Sequence, residues 1–190
     1  LEVETPKPGF SLFRRVQHHL AGNNAAAVAA VTRAAREAGL RTFVPTAAVT
    51  GEAREAGSQF GTMAKAMMCE GKPLQRPCCV VAGGETTVTV TGKGKGGRAQ
   101  EFAAAAALEI AGLAKVWVAA IGTDGTDGPT DAAGAVVDGE TLARAQRLSV
   151  DLTHALKHHN TYPALKQLKQ LIVTGPTGTN VNDLYLLLLL

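Results

Sequence analysis

Aromatic residues are scarce, at 4% of 190 residues, so the core must be built from Ala, Val and Leu. Strong charge is lacking too. The net charge is +3 and the basic residues are mostly scattered, which is too mild a balance to argue for a nucleic-acid partner. Cysteine is limited to Cys69, Cys78 and Cys79. The count is odd, two are adjacent, and no CxxC spacing or His partner pattern accompanies them. That excludes a disulfide framework or zinc site and suits thiols in a reducing, cytoplasmic setting. No HExxH arrangement appears among His18, His19, His154, His158 and His159, so packing or surface roles are expected for them. No GxSxG elbow appears either, which disfavours a serine hydrolase. A basic region followed by an apolar stretch is missing at the start, so no signal peptide is expected. The chain opens on Leu1 and reads as part of something longer. The closing run DLYLLLLL falls far short of the roughly 20 apolar residues that span a bilayer. It reads as a buried terminal strand, with no membrane partner.

What is present reads as alternating helices and strands. Residues 1–11 carry two prolines and a glycine and read as a connector. Residues 23–39 combine an Asn cap, an alanine-rich body and a glycine stop, which predicts a helix. RTFVPT at 41–46 predicts a short strand, with Pro45 near its end. Residues 51–70 predict a second helix, in which Gly57 and Gly61 share a face and permit close packing. RPCCVVAGG (76–84) is an apolar strand. TTVTVTG (86–92) alternates strictly, which predicts a half-buried strand joined to the previous one in a hairpin. Residues 99–112 predict a helix, and VWVAAIG (116–122) a strand covered on both faces. A short strand at 133–139, helices at 140–148, 151–159 and 162–168, and a buried strand at 170–175 complete the pattern. The fold class is therefore α/β, a mixed sheet with helices on both faces.

Three loops stand out, each placed after a strand, where open α/β sheets bind ligands. GKGKGGR (92–98) satisfies GxGxxG through Gly92, Gly94 and Gly97. The preceding strand is not wholly apolar, however, and no acid follows roughly 20 residues on to hold a ribose. Arg98 and Ala99 replace the Lys and Ser/Thr of a P-loop. What remains is an anion pocket made of glycine N–H groups (Gly96, Gly97), Lys93, Lys95, Arg98 and the N-terminus of the next helix. A hairpin loop with solvated lysines fits the same residues equally well. Upstream, Gly84 allows close backbone approach, and Glu85 is suited to orienting Arg98 or accepting a substrate hydroxyl, although a tight turn with an exposed acid fits as well. GTDGTDGPTD (122–131) offers Asp124 and Asp127 as oxygen ligands for Mg²⁺. Asp124 is also the general-base candidate, and Thr123 lies beside it. Asp131 is expected to cap the next element. GPTGTNVND (175–183) adds Thr177, Thr179, Asn180 and Asn182 as polar donors and acceptors for a small acid or a phosphate.

In this order and spacing, GGETTVTVTGKGKGGRAQE, GTDGTDGPTDAAGAV and VTGPTGTNVNDL resemble the leucine-rich MOFRL C-terminal region of the glycerate 2-kinase family. The motif-rich match covers about residues 80–190, and the stretches AGNNAAAVAAVTRAAREAG and GEAREAG resemble the segment that precedes it. The resemblance implies ATP- and Mg²⁺-dependent phosphorylation of D-glycerate to 2-phosphoglycerate, although some relatives are labelled hydroxypyruvate reductases. It implies a division at about residue 75: 1–75 as an α/β connecting segment and 76–190 as the MOFRL-like domain of a two-domain enzyme. A Rossmann-like N-terminal domain outside this chain would carry the catalytic lysine, and a homodimer is a further expectation. Arg98 matches the family's functional arginine, as phosphate or carboxylate partner. The Asp loop and the GPTGTN loop would complete the cleft. Two departures stand out: Ala99 replaces Asn in GGRNQE, and HHNTY (158–162) replaces NNDSY, which puts Asn160 where relatives carry an acid. An NAD(P)-linked hydroxypyruvate reductase and a non-catalytic ligand-binding domain are the alternative readings.

Overall fold

The computed structural model describes residues 5–17, 19–45 and 48–190. His18, Thr46 at the end of the expected first strand, and the start of the expected connector lie outside them. Helix α1 (Asn24–Glu37) starts where the side chain of Asn23 accepts the Ala26 N–H at 2.8 Å. Helix α2 (Ala53–Glu70) stops at Gly71, whose φ of 68° belongs to the left-handed region that glycine enters without cost. The remaining helices are α3 (Arg98–Glu109), α4 (Thr141–Arg147), α5 (Leu152–Lys157) and α6 (Thr161–Gln167). Asp151 caps α5 by accepting the His154 N–H at 2.8 Å.

The strands are β1 (Arg41–Phe43), β2 (Cys78–Gly84), β3 (Val116–Gly122), β4 (Gly134–Asp138), β5 (Leu171–Ile172) and β6 (Asp183–Leu189). They form one six-stranded sheet in the order β1-β2-β6-β3-β4-β5. Only β1 and β2 run parallel; every other neighbouring pair is antiparallel. The leucine run thus lies in the middle of the sheet, hydrogen-bonded to β2 on one side and β3 on the other. Its alternate residues Tyr185, Leu187 and Leu189 face the main core under α2 and α3. Helix α1 covers β1 and β2 from the opposite face, where a side chain on Gly83 would collide with Asn24 and Val28. The mixed sheet with helices on both faces is therefore as expected.

Gly57 and Gly61 are the point of closest helix approach. A Cβ on Gly57 would lie 2.1 Å from the carbonyl oxygen of Phe102, and one on Gly61 2.3 Å from Cβ of Glu109. This proximity lets Phe60 meet the Phe102 ring edge-on at 5.0 Å, while Phe102 lies 4.4 Å from Tyr185. Few rings are available, and three of them meet here. Burying one such ring stabilises by roughly 1.5–3 kcal/mol.

Three expectations need correction. Residues 86–92 form no strand and no hairpin with β2. The chain leaving β2 runs instead beside residues 49–53, with Glu85 N–H donating to Val49 O at 2.9 Å and Thr87 N–H to Gly51 O at 2.8 Å. Gly84 permits this, since a Cβ there would sit 2.1 Å from Val49 O. The Thr/Val alternation is consequently not used as a strand face: Thr86 is 1% exposed and Val90 64%. Next, β3 is not covered equally on both faces; Trp117, Ala119 and Ile121 are only half-buried, on the face where α1 packs mainly over β1 and β2. Finally, β5 is a two-residue edge strand, not a fully buried one, and Val173 beyond it is exposed.

Candidate active site

The carboxyl ends of β2 and β3 and the amino end of β6 meet at one rim of the sheet, where Asp183 stands in register with both Gly84 and Gly122. β5 leads into the 175–183 loop at the same rim. The three loops singled out in the sequence therefore converge as expected. The glycine–lysine loop, the Asp loop and residues 85–90 line a pocket of about 610 Å³ whose walls include Glu85, Arg98, Glu101, Asp124, Asp127 and His159, and the 175–183 loop lies outside its lining.

Arg98 opens α3 and is fixed by two acids. Its Nε and Nη2 donate to Asp183 Oδ2 and Oδ1 at 2.7 and 3.0 Å, and Nη1 donates to Glu85 Oε1 at 2.9 Å. Glu85 thus does orient Arg98. Asp183 is 1% exposed and also accepts the Tyr185 hydroxyl at 3.1 Å. Tyr185 in turn meets Thr86, whose N–H donates to the phenol oxygen at 3.3 Å. The hydrogen bonds and charge of Asp183 push the guanidinium further toward its protonated form, against the cost of partial burial. Burial pushes the Tyr185 phenol up, so it is a neutral donor to Asp183.

Asp127 lies beneath the glycine loop. Its Oδ1 accepts the Ala99 N–H at 3.0 Å, and its Oδ2 accepts both the Gln100 N–H and Gln100 Nε2 at 2.9 Å. An internal carboxylate therefore fills the N-terminus of α3. Gly97 makes room for it, since a Cβ there would lie 2.3 Å from Asp127 Cγ. Burial pushes the Asp127 carboxyl up to about 6, against the pull of these N–H donors. Asp124, by contrast, is partly exposed on the pocket wall, with Oδ1 accepting the Thr126 N–H at 3.0 Å. Asp131 caps nothing. It accepts the Tyr162 hydroxyl at 2.6 Å, which holds its carboxyl below the usual range.

The other expected residues separate into two groups. Gly96 and Gly97 line the pocket with Arg98, whereas Lys93 and Lys95 are exposed on the loop. Lys95 Nζ lies 4.7 Å above the Tyr162 ring. Thr123 and Thr177 stitch two loops together, and Asn180 braces its own loop. Thr123 Oγ1 donates to Asn182 O at 2.8 Å, Thr177 Oγ1 donates to Thr123 O at 2.5 Å, and Asn180 Oδ1 accepts the Asn182 N–H at 3.1 Å. Thr179 is exposed beside them and donates its N–H to Thr177 Oγ1 at 3.4 Å. Gly84 lies behind the pocket, against Val49.

Sequence reasoning missed Asp183, Glu101 and His159. Glu101 Oε1 lies 2.7 Å from His159 Nδ1, and their side chains are 2% and 4% exposed. Burial pushes the Glu101 carboxyl up, and His159 opposes the shift. The spacing of Arg98 and Glu101 places them on adjoining positions of one helix face, a usable signal. Nothing local to HHNTY marks His159. The Oδ1 of its neighbour Asn160 accepts the loop's Lys95 N–H at 3.0 Å.

Among the described residues, no group of three or more His, Cys, Asp or Glu is arranged to hold a metal ion. Magnesium bound with a nucleotide needs only one or two protein carboxylates, the rest of its shell being water and phosphate oxygen. Asp124 meets that demand. Asp127, with both oxygens engaged by N–H groups, does not.

Residues 78–183 match the MOFRL family. Glycerate 2-kinase of Pyrococcus horikoshii is 42% identical over 170 residues, covering 89% of this chain and 38% of its own length. D-glycerate 2-kinase of Thermotoga maritima is 42% identical over 181 residues, covering 95% of this chain and 42% of its own. The crystal structure of the Thermotoga maritima glycerate kinase superposes with a TM-score of 0.89 over 92% of this chain and 42% of that one. Other relatives carry a hydroxypyruvate reductase name. The chain thus spans about two-fifths of the length of the relatives it matches. Its sheet, its three rim loops and the matched residues 78–183 agree: the chain belongs to the MOFRL family.

Proposed function

We propose that this chain is the C-terminal part of an ATP-dependent kinase that converts D-glycerate to 2-phosphoglycerate. One observation carries most of the weight. Arg98 stands at the rim of the pocket, braced by Asp183 and Glu85, on a chain closely related to proteins named glycerate 2-kinase. Phosphoryl transfer depends chiefly on positioning and charge neutralisation. Three N–H groups of Arg98 are engaged by acids, and a guanidinium has about five, so two remain for a phosphate or glycerate carboxylate. The bracing fixes the fork before the ligand arrives, which keeps the reorganisation cost low.

Asp124 faces the same space and is assigned to accept the proton of the reacting hydroxyl or to hold Mg²⁺, with Glu85 nearby for a substrate hydroxyl. Magnesium, when bound, neutralises phosphate charge. Gly96, Gly97, Lys93 and Lys95 are assigned to the nucleotide phosphates on the outer side of the loop, because Asp127 occupies its inner side. Asp127 stands outside the metal shell and caps α3. Thr123, Thr177, Thr179, Asn180 and Gly84 shape the rim. The N-terminal domain of the relatives would supply the facing half of the cleft, and a homodimer and a cytoplasmic setting belong to the same reading. A dinucleotide reading of GxGxxG has less support, since it needs the N-terminus of α3 open to a pyrophosphate.

The test is ADP release with D-glycerate in the full-length parent, with and without Mg²⁺, alongside Arg98→Ala. Removing one such charge-stabilising donor typically costs about 10²–10³ in rate, and a loss of that order is expected. Arg98→Lys keeps the charge without the fork and should recover little. NADH oxidation by hydroxypyruvate without glycerate-dependent ADP release would overturn the kinase reading.

A further inference from the structure

His159 makes three unusual commitments. It is buried, it pairs with the buried Glu101, and its backbone adopts φ 55°, in the left-handed region that only a few per cent of non-glycine residues enter, Asn, Asp and His more often than the rest. Its other ring nitrogen, Nε2, lies 3.2 Å from Thr91 Oγ1, at the point where the glycine–lysine loop begins. The imidazole therefore spans from α3 to the loop. Glu101 is one turn along α3 from Arg98, so the pair is anchored to the same rigid element that carries the guanidinium.

The backbone around His159 completes the contact. A Cβ on Gly94 would lie 2.2 Å from His158 O, and one on Gly96 2.3 Å from Thr161 Oγ1. The loop glycines thus press flat against residues 158–161. Asn160 Oδ1 accepts the Lys95 N–H at 3.0 Å, and the Tyr162 N–H donates to Lys95 O at 2.9 Å. Loop and segment are hydrogen-bonded at Lys95 and pinned at Thr91. The second carboxyl oxygen of Glu101 is buried with no hydrogen-bond partner, so the pair has exchanged polar satisfaction for position.

We propose that His159 is a positioning residue: held by Glu101, it fixes the glycine–lysine loop at a set separation from Arg98. The proposal rests on the kinase reading only where phosphate binding is concerned. The loop contributes N–H groups and Lys93 and Lys95, α3 contributes Arg98, and one ligand can meet both only if their spacing is held. Neither Glu101 nor His159 need touch the ligand.

The chemistry of the ring suggests a test that spares the fold. His159→Asn tolerates the left-handed backbone and keeps a polar group near Nδ1 for Glu101, but cannot reach Thr91. Thr91→Val removes the same contact from the loop side. Two measurements follow. Amide hydrogen exchange over residues 92–97, on this 190-residue chain, should quicken about tenfold in either variant and no further in the double variant, since one contact is lost in all three. In the full-length parent, KM for ATP should rise severalfold with kcat changed less, and His159→Ala should be worse than His159→Asn. Unchanged exchange in both single variants overturns the proposal, as does additive loss in the double variant. If the unmodified parent phosphorylates no glycerate, the kinase reading fails while the exchange measurement still decides the role of His159.

Discussion

Asp127 and Asp183 are both buried at the rim and meet different partners. Asp183 faces a guanidinium, whereas Asp127 faces only neutral N–H groups at the start of α3. Burial therefore lifts the Asp127 carboxyl to about 6. A free aspartic acid titrates near ~3.9, so the folded chain binds this proton more tightly than the unfolded chain. The associated stability is fully present below about pH 4 and is lost as pH rises through 6. Asp127→Asn does not titrate. Compared with it, the unmodified chain should gain stability from pH 7 to 4, by an amount of order 2–3 kcal/mol in urea unfolding. A difference that stays constant over that range would remove the case for a proton on Asp127. At this scale the sequence was informative about type more than partner. Arg98 and Asp124 could be picked out as charged residues next to glycine. The engagement of Asp127 with α3 could not, because its backbone N–H partners lie 28 and 27 residues away.

Elements were legible where periodicity and caps agreed. Asn23, Gly71 and Asp151 bound their helices by local hydrogen bonds or a local φ, which depend on neighbouring residues alone. The Thr/Val stretch at 86–90 was misread for the converse reason. Alternation specifies a strand only when a partner strand is available, and the edge beyond Gly84 is taken by residues 49–52. The α2–α3 contact gives a prediction at this level. Alanine at Gly57 would favour the helix by up to about 1 kcal/mol. Its Cβ would also fall 2.1 Å from a backbone oxygen, and overpacking of that kind typically costs about 1–3 kcal/mol. The steric term is expected to win, lowering the urea midpoint of Gly57→Ala. An unchanged or higher midpoint would mean that α2 shifts freely over α3.

The division at residue 75 falls between α2 and β2, yet both contribute to one core. β1 hydrogen-bonds to β2, and Phe60 of α2 packs against Phe102 and Tyr185. We expect the 190-residue chain to unfold in one cooperative transition. A fragment of residues 76–190 should lack it, because α3 would lose α2, its main packing partner, and β2 would lose the cover of α1. Thermal denaturation followed by circular dichroism checks this, and a cooperative transition in the fragment would make 76–190 an independent domain.

Local composition alone determined a good deal: an α/β layering, most helix boundaries, a buried closing strand, and three glycine-rich loops, of which those at 122–131 and 175–183 follow strands. Each depends on spacing of 2 or 3.6 residues, or on a cap, and so can be read within a short window. Tertiary structure decided that the leucine strand enters between β2 and β3. That insertion brings Asp183 to Arg98, 85 residues apart in the chain. It also decided that the N-terminus of α3 is closed by Asp127 and that His159 reaches Glu101. These contacts join residues whose separation along the chain carries no periodic signal. They exist only because the sheet order brings distant loops to one rim, where buried charges must find partners.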